Sequence, residues 1–290
     1  MRFEEFFEPE TVEECIALKR KLGRSAVFVS GGTDVVPKLK SGALKPEAVI
    51  SLHRIQGLDS IEVKEDGLYL GAFATLRKIS LSDALAGEYE VVGRAAGHVS
   101  SMQVRNIATI GGNVCNASPS ADAVQGLLVL DAVCRIQGPD GKYEKPLADF
   151  FLGPGKTILG EDELLTGFFV PKPAARTGAA YVKYSIRGDT DISIVGAGAA
   201  LSPGADEIVV KARVTLASVA PTPLRVAAAE DFLEGKKPAE AVFEEAAEIA
   251  KNACAPIDDQ RATADYRKEM VRVQTRIVLK EAYNRIRQAE

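Results

Sequence analysis

The 290-residue chain carries 40 acidic against 36 basic side chains, a formal net charge of −4, and is 46% hydrophobic. That is enough apolar material for two ordinary domains, and the charges are spread without long blocks of one sign, which argues against nucleic acid as the main partner. No run of about 18 apolar residues occurs, and the start, MRFEEFFEPE, is acidic where a signal peptide would be basic, so a soluble cytoplasmic protein with no transmembrane segment is expected.

Thr11 with Glu14 fits a capping box, and Val12, Cys15, Ile16 and Leu22 recur at helical spacing ahead of Gly23, so a first helix is expected from about 11 to 22. AVFV at 26–29 reads as a short buried strand that opens into SGGTD at 30–34, after which VVPKLK begins a brief helical turn. AVIS at 48–51 reads as another strand, and IEVKEDGLYLGAF alternates about Asp66 and Gly67 as a hairpin does. A helix from roughly 88 to 101 then leads through QVRN to TIGGNVCNASPSAD at 109–122, and AVCRIQ, GPDG and KYEKPL signal a further hairpin. Both glycine motifs are thereby placed on connections between regular elements. PKPAARTG at 171–178 has the composition of a linker and is taken as the domain boundary. Beyond it AYVKYSI, DISIVGAGAAL and EIVVKARVTLASV read as consecutive strands, and after Pro223 the pattern turns helical, giving a second α+β unit.

Consecutive glycines let backbone N–H groups converge and let a ligand approach with no Cβ in the way, which suits a pyrophosphate. Gly31 with Gly32 and Gly111 with Gly112 both offer this, flanked by Ser30, Thr33 and Asp34 in one case and by Thr109, Asn113, Asn116 and Ser118 in the other. Taken singly, each pair also fits a tight turn after a strand. Two such loops in one domain point to a shared dinucleotide, though spacing by itself does not name flavin. GAGAAL at 196–201 imitates a G-x-G-x-x-G opening, but its sixth position is Leu201, and small residues inside a strand pattern mark close packing. Cys15, Cys115, Cys134 and Cys254 lie far apart with no C-x-x-C pair, so they read as scattered buried thiols with no zinc or iron–sulfur site. His53 and His98 fall outside both motifs and take structural or solvated roles. Asp258 and Asp259 read as caps of a C-terminal helix.

VSGGTDVVPKLK, QVRNIATIGGNVCNASPSADAV and FFLGPGKTILGEDELL, followed in order by VKYSIRGDTDIS and DQRATADYRKEMV, resemble the FAD-binding medium subunit of the molybdenum hydroxylase family, which includes xanthine dehydrogenase and aerobic carbon monoxide dehydrogenase. TIGGNVCNASPSAD is the most specific piece, and the resemblance spans nearly the whole chain. It implies an α+β fold: a vanillyl-alcohol-oxidase-type FAD-binding domain over 1–172, made of two α+β subdomains at about 1–55 and 56–172, followed by a smaller α+β C-terminal domain over 178–290.

The same resemblance implies non-covalent FAD. It assigns pyrophosphate contacts to Val29, Ser30, Gly31, Gly32, Thr33 and Asp34, with Val35 packed beside them. Thr109, Gly112, Asn113, Ser118 and Asp122 match positions that contact the phosphates, ribitol or adenosine, with Asp122 holding a sugar hydroxyl. Leu165 and Lys183 match positions near the ring, where a lysine stabilises negative charge on the flavin. No catalytic residue is expected here, and no metal belongs in this subunit because the cysteine-rich insertion of a few relatives is missing. The molybdenum cofactor and the 2Fe-2S clusters are expected only on partners, a large molybdenum subunit and a small iron–sulfur subunit, in a dimer of heterotrimers. The chain then takes electrons from the iron–sulfur subunit and passes them to an acceptor that Thr190, at a variable loop position, leaves open. The alternative is a stand-alone FAD-dependent oxidase or dehydrogenase of the vanillyl-alcohol-oxidase type, for which the sequence offers no acid or base over the ring. A scaffold that has lost its flavin is a third reading, against which the intact glycine motifs speak.

Overall fold

The structure, a computed structural model, describes residues 3–188 and 190–289. Its first lobe contains β1 (Glu5–Phe7), α1 (Val12–Leu22), β2 (Ala26–Val29), α2 (Val35–Ser41) and β3 (Ala48–Ser51). The three strands form a parallel sheet in the order β1-β3-β2. Thr11 caps α1 by accepting from Glu14 N at 3.1 Å, and the Glu14 carboxylate accepts from Glu10 N at 2.9 Å, so the reciprocal half of the box closes one residue earlier than the standard motif. Val12, Cys15 and Ile16 then face a small core with Ala48 and Ile50. β1 was not anticipated: three residues give no alternation to read, and the strand exists only because β3 pairs with it.

The second lobe holds β4 (Ile61–Val63), β5 (Gly67–Gly71), α3 (Leu76–Ser80), α4 (Glu90–Gly97), α5 (Met102–Arg105), α6 (Ile110–Cys115), α7 (Asp122–Leu128), β6 (Val133–Gly138), β7 (Gly141–Pro146), β8 (Phe151–Gly153), β9 (Lys156–Thr157) and β10 (Leu164–Pro171). Its antiparallel sheet runs β4-β5-β10-β6-β7, so the last strand of the lobe closes its centre. The helix expected over 88–101 stops at Gly97. Ser100 adopts φ 52°, and Arg105 Nη1 donates to the carbonyls of Val99 at 3.0 Å and Ser100 at 2.5 Å, which turns the chain before Ser101 caps α5.

After residues 172–177 the chain enters a different sheet, β11 (Gly178–Tyr184), β12 (Val195–Pro203), β13 (Val209–Ala217) and β14 (Leu224–Arg225), antiparallel in that order. α8 (Ala227–Leu233), α9 (Glu240–Ala253) and α10 (Ala264–Ala289) follow, and α9 and α10 pack on each other with α10 lying across β11 and β12. Asp258 Oδ1 accepts from Ala264 N at the start of α10, whereas Asp259 is a loop staple that accepts from Arg261 N and Ala262 N and pairs with Arg267.

GAGAAL lies inside β12, fully buried. A Cβ at Gly198 would come within 2.8 Å of Val129 Cγ1 and 2.6 Å of Thr215 Oγ1, so the glycine lets the end of α7 lie directly on the C-terminal sheet. Every residue of α7 is buried, and the main core continues across the linker to Ala179, Tyr181 and Ala200. Past α7, Asp131 accepts from Arg213 Nε at 2.7 Å and Arg225 Nη1 at 3.1 Å and pairs with Lys211 at 2.8 Å. The C-terminal domain is thus docked by both apolar packing and ion pairs.

Candidate functional site

A cavity of about 700 Å3 runs between the first and second lobes, a volume in the usual range for a small-molecule site. Ser30, Gly31, Gly32, Thr33, Asp34 and Val35 line it from the first lobe, and Thr109, Gly112, Asn113, Ser118, Asp122 and Leu165 line it from the second. Of the residues assigned from sequence, Val29 and Lys183 are absent from this lining. Val29 ends β2, and its carbonyl accepts from Leu52 N at 2.9 Å. Lys183 is buried with 2% of its side chain exposed and donates to Asp122 Oδ2 at 2.9 Å and to the His98 carbonyl at 2.9 Å. A second cleft, of about 650 Å3, lies between the start of α1 and the face of β5, β6 and β10 and carries none of the motif residues.

The two glycine pairs do different work. Gly31 and Gly32 sit between β2 and α2, and Gly32 takes φ +69°. A Cβ on Gly31 would meet the Ile107 carbonyl oxygen at 1.9 Å, so the glycine permits the loop to cross against the chain that enters the second motif. The N–H groups of Gly31, Gly32, Thr33 and Asp34 donate to no backbone acceptor among the described residues. Gly111 and Gly112, by contrast, lie in the first turn of α6 and not on a connection, which corrects the sequence-based placement. Thr109 caps this turn, its Oγ1 accepting from Gly112 N at 3.1 Å, while Gly111 N donates to Ala72 O at 2.8 Å. Their donors are therefore used within the protein, and the pair serves to seat α6 against Ala72, where a Cβ on Gly111 would approach to 2.7 Å.

What the second motif presents to the cavity is side chains. Asn113 Oδ1 is buried with no hydrogen-bond partner, an arrangement that costs about 1–3 kcal/mol unless something donates to it. Ser30 Oγ and Thr109 Oγ1 share a hydrogen bond at 3.1 Å, and Lys38 Nζ reaches Asn116 Oδ1 at 3.4 Å, so the two motifs meet across the seam. Ser118 bonds Ser120 at 3.0 Å. Cys115, expected as a buried thiol, is exposed and lines the cavity because it closes α6 on the cavity side; Cys15, Cys134 and Cys254 are buried. His53 is exposed, and the His98 ring packs edge-on against Tyr181 at 5.9 Å. Sequence reading missed Lys38, one helical turn past the first loop, which its spacing could have shown, and Phe73 and Ile192, for which no local signal exists.

Among the described residues no group of three or more His, Cys, Asp or Glu is placed to hold a metal ion, and no helix is long and apolar enough to cross a membrane. The fold and cavity define a two-lobed protein with a dinucleotide-sized cavity between its lobes and a C-terminal domain packed against the second lobe. The family model described as "FAD binding domain in molybdopterin dehydrogenase" matches residues 1–173, and that described as "CO dehydrogenase flavoprotein C-terminal domain" matches residues 180–282. The xanthine dehydrogenase FAD-binding subunit of Escherichia coli O157:H7 is 31% identical over 261 residues, covering 89% of this chain and 88% of the relative. The carbon monoxide dehydrogenase medium chain of Hydrogenophaga pseudoflava is 30% identical over 281 residues, covering 97% of each. A solved structure of carbon monoxide dehydrogenase from the same organism superposes with a TM-score of 0.94 at 32% identity over 98% of both chains. The chain belongs to the family of FAD-binding medium subunits of the molybdenum hydroxylases, oxidoreductases that include carbon monoxide and xanthine dehydrogenases.

The residues present fit FAD. Free backbone donors at 31–34 suit a pyrophosphate, the unpaired Asn113 Oδ1 suits a hydroxyl or ring N–H donor, and Phe73, Leu164 and Leu165 supply an apolar wall for a ring.

Proposed function

We propose that this chain is the electron-transfer subunit of a cytoplasmic molybdenum hydroxylase, taking electrons from a small iron–sulfur subunit and passing them to an external acceptor while a large molybdenum subunit hydroxylates the substrate. FAD, when bound, supplies the ability to accept electrons singly and release them in pairs. The observation that carries the reading is the pairing, across one cavity, of uncommitted N–H groups at 31–34 with the buried, unsatisfied Asn113 Oδ1. In this reading Ser30 to Asp34 hold the pyrophosphate, Val35 packs beside it, and Val29 fixes the loop through β2. Thr109 and Gly112 build the α6 turn, Asn113 and Ser118 bond the polar middle of the cofactor, and Leu165 borders the ring. Lys183 and Asp122 act as a buried pair at the far wall.

The FAD-binding unit over 1–172 and the C-terminal unit over 178–290 are the functional divisions, a boundary supported by matches that end at 173 and resume at 180. The named relatives are an FAD-binding subunit and a medium chain of dehydrogenases, which supports assembly with further subunits; the arrangement proposed is a dimer of heterotrimers. The test is isolation of the native complex with its metals, flavin and mass. Copurification of molybdenum- and iron–sulfur-containing chains with FAD on this one is expected. A yellow monomer that turns over a small substrate unaided would refute the reading.

A further inference from the structure

Asp122 opens α7 at the cavity wall, is 6% exposed, and its carboxylate is held from the other domain. Oδ1 accepts from the Tyr181 hydroxyl at 2.5 Å and the Ser193 hydroxyl at 2.6 Å, and Oδ2 accepts from the Lys183 ammonium at 2.9 Å. An ionised carboxylate offers about four lone-pair sites, so β11 and the segment entering β12 occupy most of them. Short hydrogen bonds to an ionised oxygen are the stronger kind, and a buried charge of this sort is costly to leave half-paired.

Ser193 directly follows Ile192, which among the described residues is the one side chain past the linker that lines the cavity. Ile192 is 48% exposed, although it is a large apolar residue. On its C-terminal side the chain is fixed at once, since Ser193 is fully buried on Asp122 and Ile194 N donates to Tyr184 O at 2.8 Å. On its N-terminal side the hydrogen bonds among the described residues are local: Asp191 accepts from Arg187 and from Ile192 N, and Asp191 N donates to Gly188 O. The place of Ile192 is therefore set from its C-terminal side, where the Ser193–Asp122 bond is the side-chain anchor beside the backbone bonds of Ile194, whose N–H donates to Tyr184 O and whose carbonyl accepts from Arg267 Nη1 at 2.8 Å.

We propose that Asp122 is a positioning residue that, through Ser193 and braced by Tyr181, fixes the Ile192 side chain as an apolar cover over the cofactor cavity. This rests on the FAD reading given above, and it gives Asp122 a role different from the sugar contact that the family resemblance implies. A cover of this kind keeps water and small ions from one side of the bound flavin.

The experiment uses the full-length chain, with FAD affinity measured by titrating the flavin-free protein and access to bound flavin measured by iodide quenching of its fluorescence. Ser193→Ala is expected to raise the FAD Kd and the iodide quenching constant about 3- to 10-fold, the range for losing part of one charge-assisted hydrogen bond. Ile192→Ala is expected to raise quenching to the same extent, and adding Ser193→Ala to it to change quenching little further, because the cover is already gone. Wild-type values of both quantities in Ser193→Ala, or a double variant equal to the sum of the singles, overturn the positioning role while leaving the FAD reading intact. A wild-type chain that binds no FAD overturns both. Should Ser193→Ala fail to fold, unchanged quenching in Ile192→Ala overturns the proposal by itself.

Discussion

Gly31→Ala puts one methyl group into the seam between the lobes and into little else. Its Cβ would stand 1.9 Å from the Ile107 carbonyl oxygen, 2.8 Å from the Ile107 carbonyl carbon and 3.0 Å from Ala108 Cα. All three are backbone atoms, so no rotamer change relieves the contact, and the two loops must part by roughly 1.5 Å to reach ordinary contact at 3.4 Å. That movement stretches the Ser30–Thr109 hydrogen bond, 3.1 Å long, past usefulness. Overpacking of this kind costs about 1–3 kcal/mol and the hydrogen bond about 1 kcal/mol. A flavin-free protein relieves the strain by opening the seam, whereas a protein that grips FAD from both lobes cannot. The cost is therefore expected chiefly in cofactor binding, as a rise in FAD Kd on the order of 10²-fold, with a smaller fall in Tm. Titration of the flavin-free protein measures the first and thermal unfolding the second. Gly153→Ala is the control, since a Cβ there meets nothing within 4 Å and its effect should stay within about 0.5 kcal/mol. A folded Gly31→Ala protein whose Kd lies within about threefold, or 0.7 kcal/mol, of wild type would refute the two-lobed grip.

Gly112→Val brings a Cβ to 2.9 Å from Thr109 Oγ1, disturbing a helix cap of about 1 kcal/mol and the cavity wall together; normal flavin content in the folded variant would sink the assignment. Asn113→Ala removes an acceptor that is buried and unpaired, so the flavin-free protein should gain up to about 1 kcal/mol in stability while FAD affinity falls about tenfold. Loss of both, or unchanged affinity by titration, contradicts a ligand role for that oxygen. Asp259 is pushed up by partial burial, but the N–H groups of Arg261 and Ala262 and the Arg267 guanidinium outweigh this and hold its carboxyl down at about 2. Because the folded value lies below the unfolded one, this stabilisation is complete above the ordinary carboxylate range and is lost as pH falls from about 4 through 2. Asp259→Asn should show a shallower fall in Tm between pH 5 and pH 2.5 than wild type, and identical slopes would refute the assignment.

Elements carried by a contiguous pattern of caps, turn residues and alternation were legible. The Thr11 cap, the 133–146 hairpin and the strand–loop–helix of the first motif appear where the sequence places them. The second motif was legible as a motif and misread as a loop, because two adjacent glycines argue against a helix in isolation. Only the approach of Ala72 to Gly111 explains why the turn is helical with glycines in it. Asn113 and the 31–34 loop line one cavity, as the two motifs led one to expect, whereas the pairing of Lys183 with Asp122 has no local signal in the sequence.

By itself the sequence determined the family, the cofactor class and the two chemically distinctive stretches, since each is a contiguous pattern that constrains its own backbone. Tertiary structure decided how they are used. The Ser30–Thr109 bond joins residues 79 apart and the Tyr181–Asp122 bond residues 59 apart, and no local preference encodes such pairs. They exist only in the packed structure, where β10 holds the centre of its sheet and α7 is buried against the C-terminal domain. Which donors are left for a ligand, and which are consumed in holding the walls, follows from that packing.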